Sequence, residues 1–114
     1  TMQGNDITIN NMAGMQKMSA GTLTPSVFHG GTVLCNLNQN STINYEATGT
    51  MIPPGAKLRF VLVQDVTGGR TVTFSSSYRV AWTPATTANK INTIDFAWNN
   101  EISKWVQTAV ATGI

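Results

Sequence analysis

The feature that most restricts this chain is a succession of short alternating segments, broken by turn residues, from about residue 32 to the end. Leu58-Arg59-Phe60-Val61-Leu62-Val63-Gln64 is the strongest of them. Successive side chains of a strand point to opposite faces, so Leu58, Phe60 and Leu62 share one face. Val61 and Val63 make the second half apolar on both faces, which predicts a central strand. Val33, Cys35 and Leu37 share a face, and Ile43 and Tyr45 alternate with Thr42, Asn44 and Glu46. Tyr78, Val80 and Trp82 alternate in the same way, as do Ile94, Phe96 and Trp98. Ser103-Lys104-Trp105-Val106-Gln107-Thr108 returns beside the last of these after an Asn99-Asn100 turn. Thr67-Gly68-Gly69-Arg70 reads as a tight hairpin turn, glycine supplying the positive φ that such turns need, with Thr71-Val72-Thr73-Phe74 returning. Seven or eight strands separated by turns at roughly 8–12 residues predict an all-β fold. The expected architecture is an antiparallel β-sandwich of jelly-roll type, with a barrel left open by pattern alone.

The first 31 residues differ, and the chain is read as a short extended N-terminal arm, 1–31, before a β-sandwich domain, 32–114. Met12, Met15 and Met18 recur every three residues, which fits a turn or so of helix capped by Asn10 or Asn11, although Gly14 counts against it. Methionine fits irregular surfaces, so these three are candidate partner contacts; packing on the arm's own domain is the alternative. On the docking reading, deleting residues 1–20 disturbs attachment more than folding.

Charged residues make up 11% of the 114, against about 25% in an ordinary soluble domain, and Thr, Asn and Ser take their place. A neutral polar surface suits a crowded, fixed assembly, where long charged side chains are costly to order. The net charge of +2 is spread from Lys17 to Lys104 without a run, which argues against a nucleic-acid partner. The single cysteine excludes an internal disulfide, and its strand position predicts a buried thiol. No apolar stretch is long enough to span a bilayer and no signal peptide is present, so no membrane partner is expected and synthesis in a cytoplasm is. Thr1 fits a natural start after Met removal and equally a domain cut from a longer chain.

Candidate chemistry is sparse. The acids are Asp6, Glu46, Asp65, Asp95 and Glu101, and no two form a credible general acid and base pair. His29 is the lone histidine; it lacks a Cys or second His for a metal site, and although serines and acids exist for a triad, no strand–Gly-x-Ser-x-Gly–helix context is present. The expectation is a non-enzyme with no catalytic residue, metal or cofactor. Asp65, Gly68, Gly69 and Arg70 read as turn scaffold, the carboxylate capping backbone N–H groups and pairing with Arg70. Trp82, beside a loop, is the best candidate among the aromatics for an exposed contact.

Three blocks in order carry a resemblance. Phe60-Val61-Leu62-Val63-Gln64-Asp65-Val66-Thr67-Gly68-Gly69-Arg70-Thr71-Val72-Thr73-Phe74, then Pro84-Ala85-Thr86-Thr87-Ala88-Asn89, then Ile91 to Phe96 with Ser103-Lys104-Trp105, resemble bacteriophage virion structural proteins. The chain departs in a shorter loop, Val80-Ala81-Trp82-Thr83-Pro84, and in lacking the long fibrous region often found upstream. The resemblance implies a virion component. The first reading is a capsid decoration (cement) protein that stabilises the shell by binding only its assembled form, with the major capsid protein and copies of itself, as a homotrimer, as partners. The alternative is a tail-fibre or tailspike module binding a host-surface saccharide or protein through loop residues such as Trp82, Asn89 and Asn99. A virion-associated carbohydrate-active enzyme is the third reading. Copy number per purified particle, measured by mass spectrometry against the major shell protein, separates the first two. Decoration predicts hundreds of copies in simple ratio to the shell protein; a tail module predicts a handful.

Overall fold

The computed structural model describes residues 15–25, 31–44, 52 and 55–114. Among them are nine strands and no helix: β1 (Met15–Ser19), β2 (Thr22–Leu23), β3 (Thr32–Leu37), β4 (Ser41–Ile43), β5 (Lys57–Gln64), β6 (Val72–Phe74), β7 (Tyr78–Arg79), β8 (Ile91–Asn99) and β9 (Lys104–Ala111). They form a six-stranded sheet, in the order β1-β3-β5-β8-β9-β7, and a three-stranded sheet, β2-β4-β6.

The chain makes three similar passes. Each lays a strand in the large sheet, turns a corner and lays a shorter strand in the small one. β1, β3 and β5 run parallel, with Met18 opposite Cys35 and Cys35 opposite Leu62. β2, β4 and β6 also run parallel. After the third pass the large sheet continues antiparallel, β5 against β8 and β8 against β9, and β7 joins parallel to β9. The all-β class is as the alternation indicates. The antiparallel, jelly-roll arrangement is corrected: it holds only for β5–β8 and β8–β9. Alternation reports which face is buried and is silent on strand direction.

Two local expectations change for the same reason. Residues 65–71 do not close a hairpin, because β5 and β6 lie in different sheets; the glycines turn the chain from one layer to the other. Met15–Ser19 is a strand, not a helical turn. A weak helical spacing beside Gly14 gives way to five residues of ladder with β3. Part of the segment read as an arm thus lies in the two sheets, and deleting residues 1–20 removes an edge strand. Met12 lies outside the described residues, as do Asp6, His29, Tyr45 and Glu46.

The sheets share one core. Val33, Cys35, Leu37, Leu58, Phe60, Leu62, Ile94 and Phe96 face Leu23 and Ile43, all buried, with Val72 and Phe74 packed at the side. Phe60 is the hub: its ring meets Phe96, Tyr78 and Phe74 edge-on at centroid distances of 5.9, 6.0 and 6.2 Å. Trp98 and Trp105, opposite each other on β8 and β9, close the far side at 5.3 Å. Burial raises the pKa of the Cys35 thiol, so it is a packing group and not a nucleophile. Phe60→Ala is expected to cost about 3–5 kcal/mol in urea unfolding, much of a small domain's stability, while Phe60→Leu costs less.

Candidate functional site

The corners of the three passes stack at one end of the molecule, where β1, β3 and β5 finish. Backbone hydrogen bonds join each to the next: Thr42 N–H donates to the Gly21 carbonyl at 2.7 Å, Ser41 N–H to Thr71 at 2.9 Å, and Asp65 N–H to Leu37 at 3.2 Å. Side chains finish the joints. The buried Ser41 Oγ accepts from Gly21 N–H at 3.0 Å and donates to the Gln39 carbonyl at 3.2 Å. Asn40 Oδ1 accepts from Thr71 N–H at 3.0 Å.

The third corner is the most heavily fastened. Asp65 Oδ1 accepts from Gly68 N–H at 2.9 Å and Thr67 N–H at 3.2 Å, and Arg70 Nη2 donates to Asp65 Oδ2 at 2.9 Å. The Arg70 guanidinium, then the Gly68 N–H, hold the Asp65 carboxyl below the usual carboxylate range. Buried Gln64 grips the other side: its Nε2 donates to the Arg70 carbonyl at 2.7 Å and its Oε1 accepts from Arg70 N–H at 3.2 Å. Gly68 and Gly69 both have positive φ, 69° and 75°. A Cβ on Gly68 would stand 2.7 Å from Ala88 N and 2.8 Å from Thr86 O, while one on Gly69 would meet nothing. The close approach at Gly68 brings in the loop 84–90, where Gly69 N–H donates to Thr86 O at 2.7 Å and Asn89 N–H to Asp65 O at 3.0 Å.

A second buried carboxamide ties that loop to the C-terminal residues. Asn92 Oδ1 accepts from Ala85 N–H and Gly113 N–H, both at 3.0 Å, and its Nδ2 donates to Ala85 O at 2.9 Å. Ile114 then exchanges two hydrogen bonds with Ile91, each 2.9 Å. The result is a preorganised end wall presenting Thr67, Thr86, Thr87, Asn89 and Lys90 to solvent, with Val66 81% and Ile114 67% exposed.

The other residues singled out from sequence lie elsewhere. Met15 opens β1, and half-buried Met18 packs against the core. Trp82 also packs there, its Nε1–H donating to Thr112 Oγ1 at 2.8 Å, so much of the ring serves the fold. Asn99 Oδ1 caps the β8–β9 turn, accepting from Glu101 N–H at 2.9 Å. Asp95 forms two hydrogen bonds with Arg59, 2.7 and 2.9 Å, and that pair lowers its pKa. Asp65 and Asp95 are thus each committed to an arginine partner. Ser41 and Asn92 escaped the sequence reading, although each is a polar residue at an inward position of a strand, which is a usable signal.

Gly68→Ala is expected to lower stability by roughly 2–4 kcal/mol, from left-handed strain plus the clash with residues 86–88, and Gly69→Ala by about 1–2 kcal/mol from strain alone. Urea midpoints of the two variants measure the difference.

No curated protein matches this chain. The family model described as "Putative phage tail fibre C-terminal domain" matches residues 22–101. That span runs from β2 to the β8–β9 turn and includes the second and third corners and the loop 84–90. It covers well over half of the sequence, and the chain belongs to the phage tail fibre C-terminal domain family, structural components of the virion.

Proposed function

We propose that this chain is a terminal module of a phage tail fibre that attaches the particle to a saccharide of the host surface by binding alone. The family match over 22–101 carries the reading and favours a tail position over capsid decoration. The stacked corners support it physically. Attachment needs a surface whose polar groups are held in place beforehand, since ordering them on contact weakens binding. Here Ser41, Gln64 and Asn92 spend their hydrogen bonds on backbone and Asp65 on backbone and Arg70, leaving Thr67, Thr86, Thr87 and Asn89 of the end wall to face outward. Hydroxyls and carboxamides both donate and accept, which suits a polyhydroxylated ligand. The pairing of Asp65 and Asp95 with arginines supports binding over hydrolysis.

The test is competition at the cell surface. Purified chain, fluorescently labelled, is expected to bind the host on which the phage plaques, to slow phage adsorption, and to lose binding after periodate oxidation of the cells. Undiminished binding after periodate would point to a surface protein instead; no binding to intact cells would overturn the attachment role.

A further inference from the structure

Beside the first two corners lies a groove of about 400 Å³, within the usual range for a small-molecule site of about 300–1,000 Å³. Lys17 and Ser19 of β1 line one side, and Asn36 of β3 with Asn38 and Gln39 of the second corner line the other. Ser19 and Asn36 are register partners on neighbouring strands, so their side chains stand side by side on the outer face of the sheet. All five side chains are exposed. The groove is nevertheless built on fixed backbone. Gln39 Nε2 donates to the Ala20 carbonyl at 3.2 Å, spanning the two corners, and Ser41 locks Gly21 to Gln39 beneath them.

The composition of this groove is selective. Three carboxamides and a hydroxyl supply neutral donors and acceptors, Lys17 supplies a positive charge, and among the described residues no carboxylate lines it. Neither ion pair among the described residues involves Lys17. A neutral sugar would satisfy the amides and leave the ammonium unused. A sugar with an acidic substituent uses both.

We infer that the groove between Lys17 and Asn36-Asn38-Gln39 binds an acidic monosaccharide unit, its anionic group on the Lys17 ammonium and its hydroxyls on the three carboxamides. The inference rests on the attachment reading above and names the class of sugar and the place it occupies. The ammonium is solvent-exposed, so charge contributes selectivity more than affinity.

Two probes with the same ring isolate the charge: methyl β-D-glucuronide and methyl β-D-glucoside. Each is titrated into the ¹⁵N-labelled full chain, and amide shifts are followed. The expected result is that the glucuronide moves the side-chain amides of Asn36, Asn38 and Gln39 and the backbone of residues 17–20. The glucoside should bind about two- to fivefold more weakly, the discrimination an exposed charge supplies. Lys17→Gln, at an exposed position with an unchanged urea midpoint, should erase the difference, as should 0.5 M salt. Asn38→Ala should weaken both sugars. Equal response to the two probes, shifts confined to another surface, or no response at all would overturn the assignment. The cell assay separates the two levels of failure. Host binding that is unaffected by Lys17→Gln rejects this groove and keeps the attachment role, whereas a chain that never binds cells rejects the attachment role itself.

Discussion

Parallel neighbours cannot be joined by a two-residue turn, because the chain must first be carried back to the starting end. In this protein the return is made by a second layer. Every strand added to the parallel part of the large sheet obliges the chain to turn a corner and cross the core. The small sheet is thus the route home as much as half of the core's lining. The corners must also coincide, since β1, β3 and β5 end side by side. A surface of stacked corners is therefore a by-product of the parallel pairing, before any function is asked of it.

This constraint explains which parts of the molecule were legible in the sequence. Inward residues were easy: Val33, Cys35 and Leu37, or Ile94, Phe96 and Trp98, announce their face by period two, and the structure buries all six. The central place of β5 followed from Val61 and Val63, apolar on the face turned away from the core. The Asn99-Asn100 turn and the Asp65–Arg70 pair were readable because the partners are near in sequence. Strand direction was not. Leu34 opposite Val61 and Thr42 opposite Thr73 are pairings between distant residues, and nothing local records whether they run with or against one another. The glycines at 68 and 69 announced a reversal, but a corner between layers and a hairpin between neighbours ask for the same backbone freedom.

The groove residues were harder still. Lys17, Asn36, Asn38 and Gln39 look like ordinary surface positions until two passes are set in register. Trp82, read from its place beside a loop as a candidate exposed contact, is half-buried: it packs with Val80 against the core, and its indole N–H is taken by Thr112. The low charge of the chain has a matching structural expression. Asp65 and Asp95 each hold an arginine close, so much of the polar surface speaks through hydroxyls and carboxamides, which are indifferent to ionic strength.

The order in which the chain joins itself also has a history in time. Among the described strand pairs of the large sheet, only β8 and β9 meet through a short turn; β1, β3 and β5 must each wait for a long loop to close before they pair with one another. Loop closure is costly when contacts are distant in sequence, and folding slows accordingly. The hairpin near the end of the chain is thus the natural nucleus, and β5, its antiparallel neighbour, the next to dock. During synthesis the first two passes emerge before the strand that templates them exists. Their apolar faces stay uncovered until that strand and the hairpin on which it docks have left the ribosome, so the domain closes late in its synthesis.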